Sequence, residues 1–242
     1  MLKYKKHEEG AQQHPNASVA AQLKAFYIAA WETIKNEKEH TAMPPQNIVF
    51  DLGGVLLDFS EQRMLDVFFG GLPQADRDQA AAALFRSGLW RRMDRGDFDE
   101  TGMVNEVCAL LPERLHGRVA DMFPHTFEAM TPLPACALIP RLKARGQRVY
   151  LLSNSPYAFH REKFRIPHID QFDGVFVSCD VHALKPDPEI YRLFLEKFGL
   201  RAEDCLFIDD MPENIAGAQA AGMHGHCFAA RDCGELSKAL GI

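Results

Sequence analysis

From residue 48 onward the chain alternates short, apolar, β-prone runs with helix-prone segments, and that alternation narrows the possible folds more than any other feature. Residues 48–50, 149–152, 174–177, 205–208 and 226–228 read as strands, and 135–145, 157–164, 188–198, 213–221 and 235–240 read as helices. Strands that alternate with helices predict an α/β fold, a Rossmann-like parallel sheet with helices on both faces. One block breaks the rhythm. Residues 60–131 contain no convincing strand but carry helical patterns at 64–69, 76–85 and 101–111. An all-helical module inserted after the first strand is therefore expected, with hinges near Asp58 and Ser60 and at Thr131 to Pro134. Ahead of the sheet, 1–16 read as a polar tail. Val19, Leu23, Phe26, Tyr27, Ala30, Trp31 and Ile34 then have the spacing of an amphipathic helix, expected to dock on the domain, with pairing to another subunit or a partner-binding stripe as the alternatives, and Pro44 and Pro45 mark a linker.

In such sheets a ligand binds beyond the carboxyl ends of the strands. The first strand ends on Asp51, the second on Ser153 and Asn154, and the fourth on Asp209 and Asp210, while Lys185 sits in a loop ahead of the helix at 188. Each has a plain explanation alone: an aspartate opens turns and caps helices, and a loop lysine is usually solvated. Together they put three carboxylates, a hydroxyl, an amide and a lysine at one edge. Carboxylates so clustered repel unless a cation relieves them.

Composition suits a soluble enzyme. A net charge of −6 argues against a nucleic-acid partner, and no run approaches the roughly 18 apolar residues of a membrane span. No signal-type apolar stretch follows the charged start, so a cytoplasmic protein is expected. Six cysteines without a CxxC pair are expected to be free, mostly buried thiols in a reducing compartment. His224 and His226 share a strand face without a third ligand at zinc spacing, and Phe194 and Phe198 read as core.

The segments FDLGGV, LLSN, LKPDPEIY and FIDDMPENIAGAQAAG, in that order, resemble the four motifs of the haloacid dehalogenase-like (HAD) hydrolase superfamily. The FDxGxV form with DRGDFDE looks most like the branch containing glucose-1-phosphate phosphatase. The resemblance starts near Asn47. It implies an N-terminal extension over 1–46, a core domain of 47–59 and 132–242, and a cap domain over 60–131.

The resemblance also implies a Mg²⁺-dependent phosphatase that hydrolyses a small phosphorylated metabolite, such as a sugar phosphate, through an aspartyl-phosphate. Asp51 would be the nucleophile and Lys185 the positive clamp. Ser153, Asn154 and the backbone at Leu52 and Gly53 would bind the phosphate. Asp51, the Gly53 carbonyl and Asp210 would hold the metal, with Asp209 behind them. The sequence departs from the pattern at Gly53, where most phosphatases of the superfamily carry a second aspartate as general acid. Asp58, Asp94 and Asp97 are candidate replacements. A non-catalytic phosphate-binding or regulatory protein and a metal-independent dehalogenase stay open as alternatives; the Asp209–Asp210 pair weighs against the dehalogenase. Arg91, Arg92 and Arg95 beside Trp90 would hold a sugar or second phosphate, or be solvated around a core tryptophan.

Overall fold

The computed structural model describes residues 45–242, so the helix expected over 17–38 lies outside the described residues. Five strands form one parallel sheet: β1 Asn47–Phe50, β4 Arg148–Ser153, β5 Gly174–Val177, β6 Cys205–Asp209 and β7 His224–Cys227, in the order β5-β4-β1-β6-β7. β1 is central and buried along its whole length. It pairs with β4 and β6 in matching register, Phe50 lying opposite both Leu151 and Ile208.

Alternation along the strands divides the core in two. Ile48, Phe50, Val149 and Leu151 face helices α6 Leu138–Ala144, α7 Ala158–Glu162 and α10 Cys233–Leu240. Val49, Tyr150, Leu152 and Phe207 face α8 Pro188–Phe198 and α9 Pro212–Ala220. On that second face Phe194 packs edge-on against Tyr150 and Phe176, its ring centroid 5.9 and 5.8 Å from theirs.

Between strands 1 and 4 the chain makes helices α1 Glu61–Phe69, α2 Gln74–Ala81, α3 Leu89–Asp94, α4 Glu100–Ala109 and α5 His116–Ala129, with a π-helical stretch Ala82–Arg86 after α2. Met64, Phe69, Leu84, Val107, Val119 and Met122 give this block an apolar core of its own. It enters and leaves through two short antiparallel strands, β2 Leu57–Asp58 and β3 Thr131–Pro132, where the sequence suggested hinges.

The last strand starts two residues earlier than expected and ends one earlier. β7 is an edge strand with half-exposed residues, so its sequence lacks the apolar run that marks the buried strands. All six cysteines are free; Cys136, Cys179 and Cys205 are buried, whereas Cys227 is exposed. Among the described residues no helix is long and apolar enough to cross a membrane.

Candidate active site

Asp51 follows β1 directly, and its N–H still donates to the Ile208 carbonyl (2.9 Å). Ser153 ends β4 and Asp209 ends β6, so three neighbouring strands deliver their last polar groups side by side. Lys185 reaches in from the loop before α8. Only 2% exposed, it places Nζ 2.7 Å from Asp51 Oδ1 and 2.6 Å from Asp209 Oδ2. Burial works to discharge this lysine, but the two carboxylates outweigh it and hold its pKa above the ordinary value. Burial lifts the Asp51 carboxyl to about 7 against the pull of Lys185.

Behind these groups lies a layer of hydrogen bonds that the motifs only partly disclose. The Asn154 amide donates to the Lys185 carbonyl (3.0 Å), and its oxygen accepts from the Lys185 N–H (2.9 Å). This reciprocal pair fixes the lysine's backbone. Asp209, fully buried, accepts from the Met211 N–H (2.9 Å) and from the Asn214 amide at both oxygens (3.0 and 3.1 Å), besides Lys185. Ser153 Oγ lies 2.9 Å from Ser155 Oγ, the Ser155 N–H donates to Ser178 Oγ, and that hydroxyl donates to the Asp94 carbonyl. The end of α3 is thereby tied to the sheet edge. Asn214, Ser155 and Ser178 were not singled out in the sequence, because serine and asparagine are ordinary in turns and nothing local reveals a long-range bond.

The two glycines after Asp51 do different things. Gly54 has φ +76°, and a Cβ there would lie 2.1 Å from Asp210 Oδ2, so the carboxylate and the backbone share that space only because the side chain is absent. At Gly53 a Cβ would meet nothing closer than Phe59 at 3.6 Å, an ordinary contact. The sequence singled out Gly53; the position that requires glycine is Gly54.

Asp51, Asp209 and Asp210 each offer an oxygen within 4.8 Å of the others'. Asp210 stands above the usual carboxylate range, mainly through burial and then the charge of Asp209. Three carboxylates against one lysine leave an excess of negative charge, and all the donors are hard oxygens, the set that Mg²⁺ takes. Asp209 already accepts from three groups, so Asp51 and Asp210 are the oxygens best placed for a cation.

The candidate acids fare differently. Asp58 is paired with Arg63 (3.5 Å) and Arg231 (2.8 Å). Asp97 is clasped by Arg95 (2.6 Å) and Arg92 (3.4 Å), and its hydrogen bond from Arg95 pulls its carboxyl below the ordinary range. Asp94 lines a cavity together with Gly53, Ser153 and Asn154. Burial, and then the charge of Asp51, push its carboxyl well above the usual range although Lys185 opposes them. The arginines point elsewhere, Arg91 toward Asp187 at 3.7 Å and Arg92 over the Phe98 ring at 4.9 Å. Trp90 packs against Phe85, Phe59 and Phe123, with ring centroids 5.0, 5.5 and 6.1 Å away. None of these arginines lines the cavity beside Asp51, whereas Trp90 stands in its wall.

Residues 45–222 match the family model for haloacid dehalogenase-like hydrolases, about three-quarters of the chain. The chain belongs to this family. Among curated relatives, this HAD-like hydrolase is 39% identical over 190 residues to a protein of Mycobacterium tuberculosis named as a phosphatase, covering 74% of this chain and 85% of that one. It is 29% identical to a sesquiterpene phosphatase of Aspergillus oryzae, over 73% of this chain and 86% of that one. Among solved structures, a HAD family enzyme of Bacteroides thetaiotaomicron with magnesium and inorganic phosphate superposes with a TM-score of 0.61 at 20% identity, covering 75% and 93% of the two chains, a likeness of fold. Family and relatives together make the chain a phosphatase.

Proposed function

We propose that this phosphatase hydrolyses small phosphate monoesters with Mg²⁺ through an aspartyl-phosphate on Asp51. The observation that carries the reading is Asp51 held by Lys185 beside Asp210, at the end of the central strand. Asp51 attacks phosphorus, an Asp51 O–P bond forms, and the bond from phosphorus to the alcohol oxygen breaks. Water then attacks the same phosphorus, releasing phosphate and restoring the carboxylate. Lys185 faces the negative charge of the transferring group, and the Ser153 hydroxyl and the backbone at Leu52 and Gly53 hold its oxygens. Asn154 and Asp209 act on Lys185, one through its backbone and one through its ammonium. Asp51, Asp210 and the Gly53 carbonyl would hold Mg²⁺, which supplies charge neutralisation and polarises phosphoryl oxygens.

The departing oxygen needs a proton that Gly53 cannot give. Asp94 fills the role: it borders the same cavity as Gly53 and Ser153, and its surroundings favour the protonated form. Residues 60–131 act as the cap that brings this acid to the core. Asp51→Asn keeps the shape and removes the nucleophile, so hydrolysis of phenyl phosphate should vanish; it should also vanish in excess EDTA. Undiminished turnover in either case would exclude the mechanism.

A further inference from the structure

The cavity beside Asp51 has two unlike ends. Ser153, Asn154 and the Gly53 backbone form one. Beyond them the walls are mainly hydrocarbon: Phe59, Trp90 and Phe123 in aromatic contact, with Met93, Phe127 and Met130 beside them, while the Thr126 hydroxyl is spent on the Met122 carbonyl (3.0 Å). The cavity is open to solvent on one side and measures about 90 Å³. Among the described residues, no lysine, arginine or histidine lines it. Its charged groups are Asp94 and Glu100, both acidic, and Glu100 is held by Arg161 at 3.0 Å.

This lining decides between kinds of leaving group. A sugar or polyol would bring several hydroxyls to walls that offer few partners, each left unpaired at a cost. A second phosphate would find no cation on the cavity wall, where Asp94 and the Arg161-paired Glu100 are the only ionisable groups among the described residues. A hydrocarbon chain or aryl ring would instead shed water against rings and thioethers, with aromatic faces available for stacking. We infer that the enzyme acts on phosphate monoesters of apolar alcohols, whose hydrocarbon part lies between Trp90, Phe123 and Met130 while the phosphate meets Lys185. The inference rests on the phosphatase reading and replaces the sugar phosphate expected from the sequence.

Trp90 sits in the wall and reports on occupancy without turnover. Changing Trp31→Phe leaves it the sole tryptophan. Titration of this protein with straight-chain alkylphosphonates and Mg²⁺ should change Trp90 fluorescence. Affinity should rise about fourfold per added methylene until the cavity is full. In the wild type, kcat/KM for the matching alkyl phosphates should follow the same slope and exceed that for hexose and pentitol phosphates. Met130→Gln should make both slopes shallower. Acetyl phosphate, which reaches only the polar end, separates the two claims. If neither acetyl phosphate nor any phosphate ester is turned over, the phosphatase reading falls. If acetyl phosphate is hydrolysed but affinity is flat with chain length, or hexose phosphates are preferred, the apolar-substrate inference is overturned.

Discussion

At the residue scale, the site is a set of charges whose partners decide their roles. Asp209 and Asp210 are adjacent in sequence, yet one is fully buried under Lys185 and Asn214 while the other keeps its carboxylate toward Gly54. Asp209→Ala would leave a buried lysine with one partner fewer. It should lower the unfolding free energy by about 3 kcal/mol, read as a fall in the urea midpoint. Asp210→Ala should raise the Mg²⁺ concentration for half-maximal activity with a much smaller stability loss; equal metal titrations for wild type and variant would remove that assignment. Asp94 makes a second contrast. If it donates the proton, Asp94→Asn should lower kcat by roughly 10²–10⁴-fold on alkyl phosphates, and less on phosphates of acidic phenols. A dependence on phenol acidity as shallow as in the wild type would point to another donor. Its elevated pKa also has a sign in stability. Between the unfolded and folded pKa values the native state keeps a proton that the unfolded chain has released, so stability falls as pH rises through that window. Asp94→Asn lacks this titration, and its melting temperature relative to wild type should climb as pH rises from about 4, where a free aspartate ionises, toward the raised folded pKa.

At the element scale, the contacts that join the helical block to the sheet edge include the short strands β2 and β3 and the turn after α3. Gly96 in that turn has φ +82°, and a Cβ there would lie 2.7 Å from the Cys179 carbonyl. His182 Nδ1 lies 3.0 Å from the Arg95 carbonyl in the same turn, and Ser178 holds the Asp94 carbonyl. Gly96→Val should therefore misplace Asp94 and cut kcat about as much as Asp94→Asn, while Mg²⁺ affinity stays unchanged. Unchanged kcat would mean that this contact does not position the acid. The same contact marks where the sequence stops being legible. Asp51, Ser153, Lys185 and Asp209 could be read because each ends or follows a buried apolar strand or lies just ahead of a helix, features written within a few residues. Asp94 could only be one candidate of three. What separates it from Asp58 and Asp97 is that Arg63, Arg231, Arg92 and Arg95 engage the other two, and Ser178, 84 residues away, fixes Asp94's backbone. β7 was displaced for a related reason, since an edge strand shows its polar side chains to water and leaves no apolar run to read.

At the scale of the whole molecule, the parallel sheet places a carboxylate, a lysine and the polar end of the cavity side by side, and the inserted helices supply much of its apolar wall. Exclusion of water strengthens the charge interactions inside, and a chamber of this size should exclude large phosphorylated partners. Efficient dephosphorylation of an intact phosphoprotein would contradict that closure. The central claim is that a phosphoryl group passes through the Asp51 carboxylate. Borohydride reduces an acyl phosphate to the alcohol, so the enzyme quenched with it during turnover of an alkyl phosphate should carry homoserine at position 51, identified by peptide mass spectrometry. The conversion should depend on substrate and be absent in Asp51→Asn. Robust turnover with residue 51 unmodified, or with the reduced residue at Asp94, Asp209 or Asp210 instead, would contradict the account.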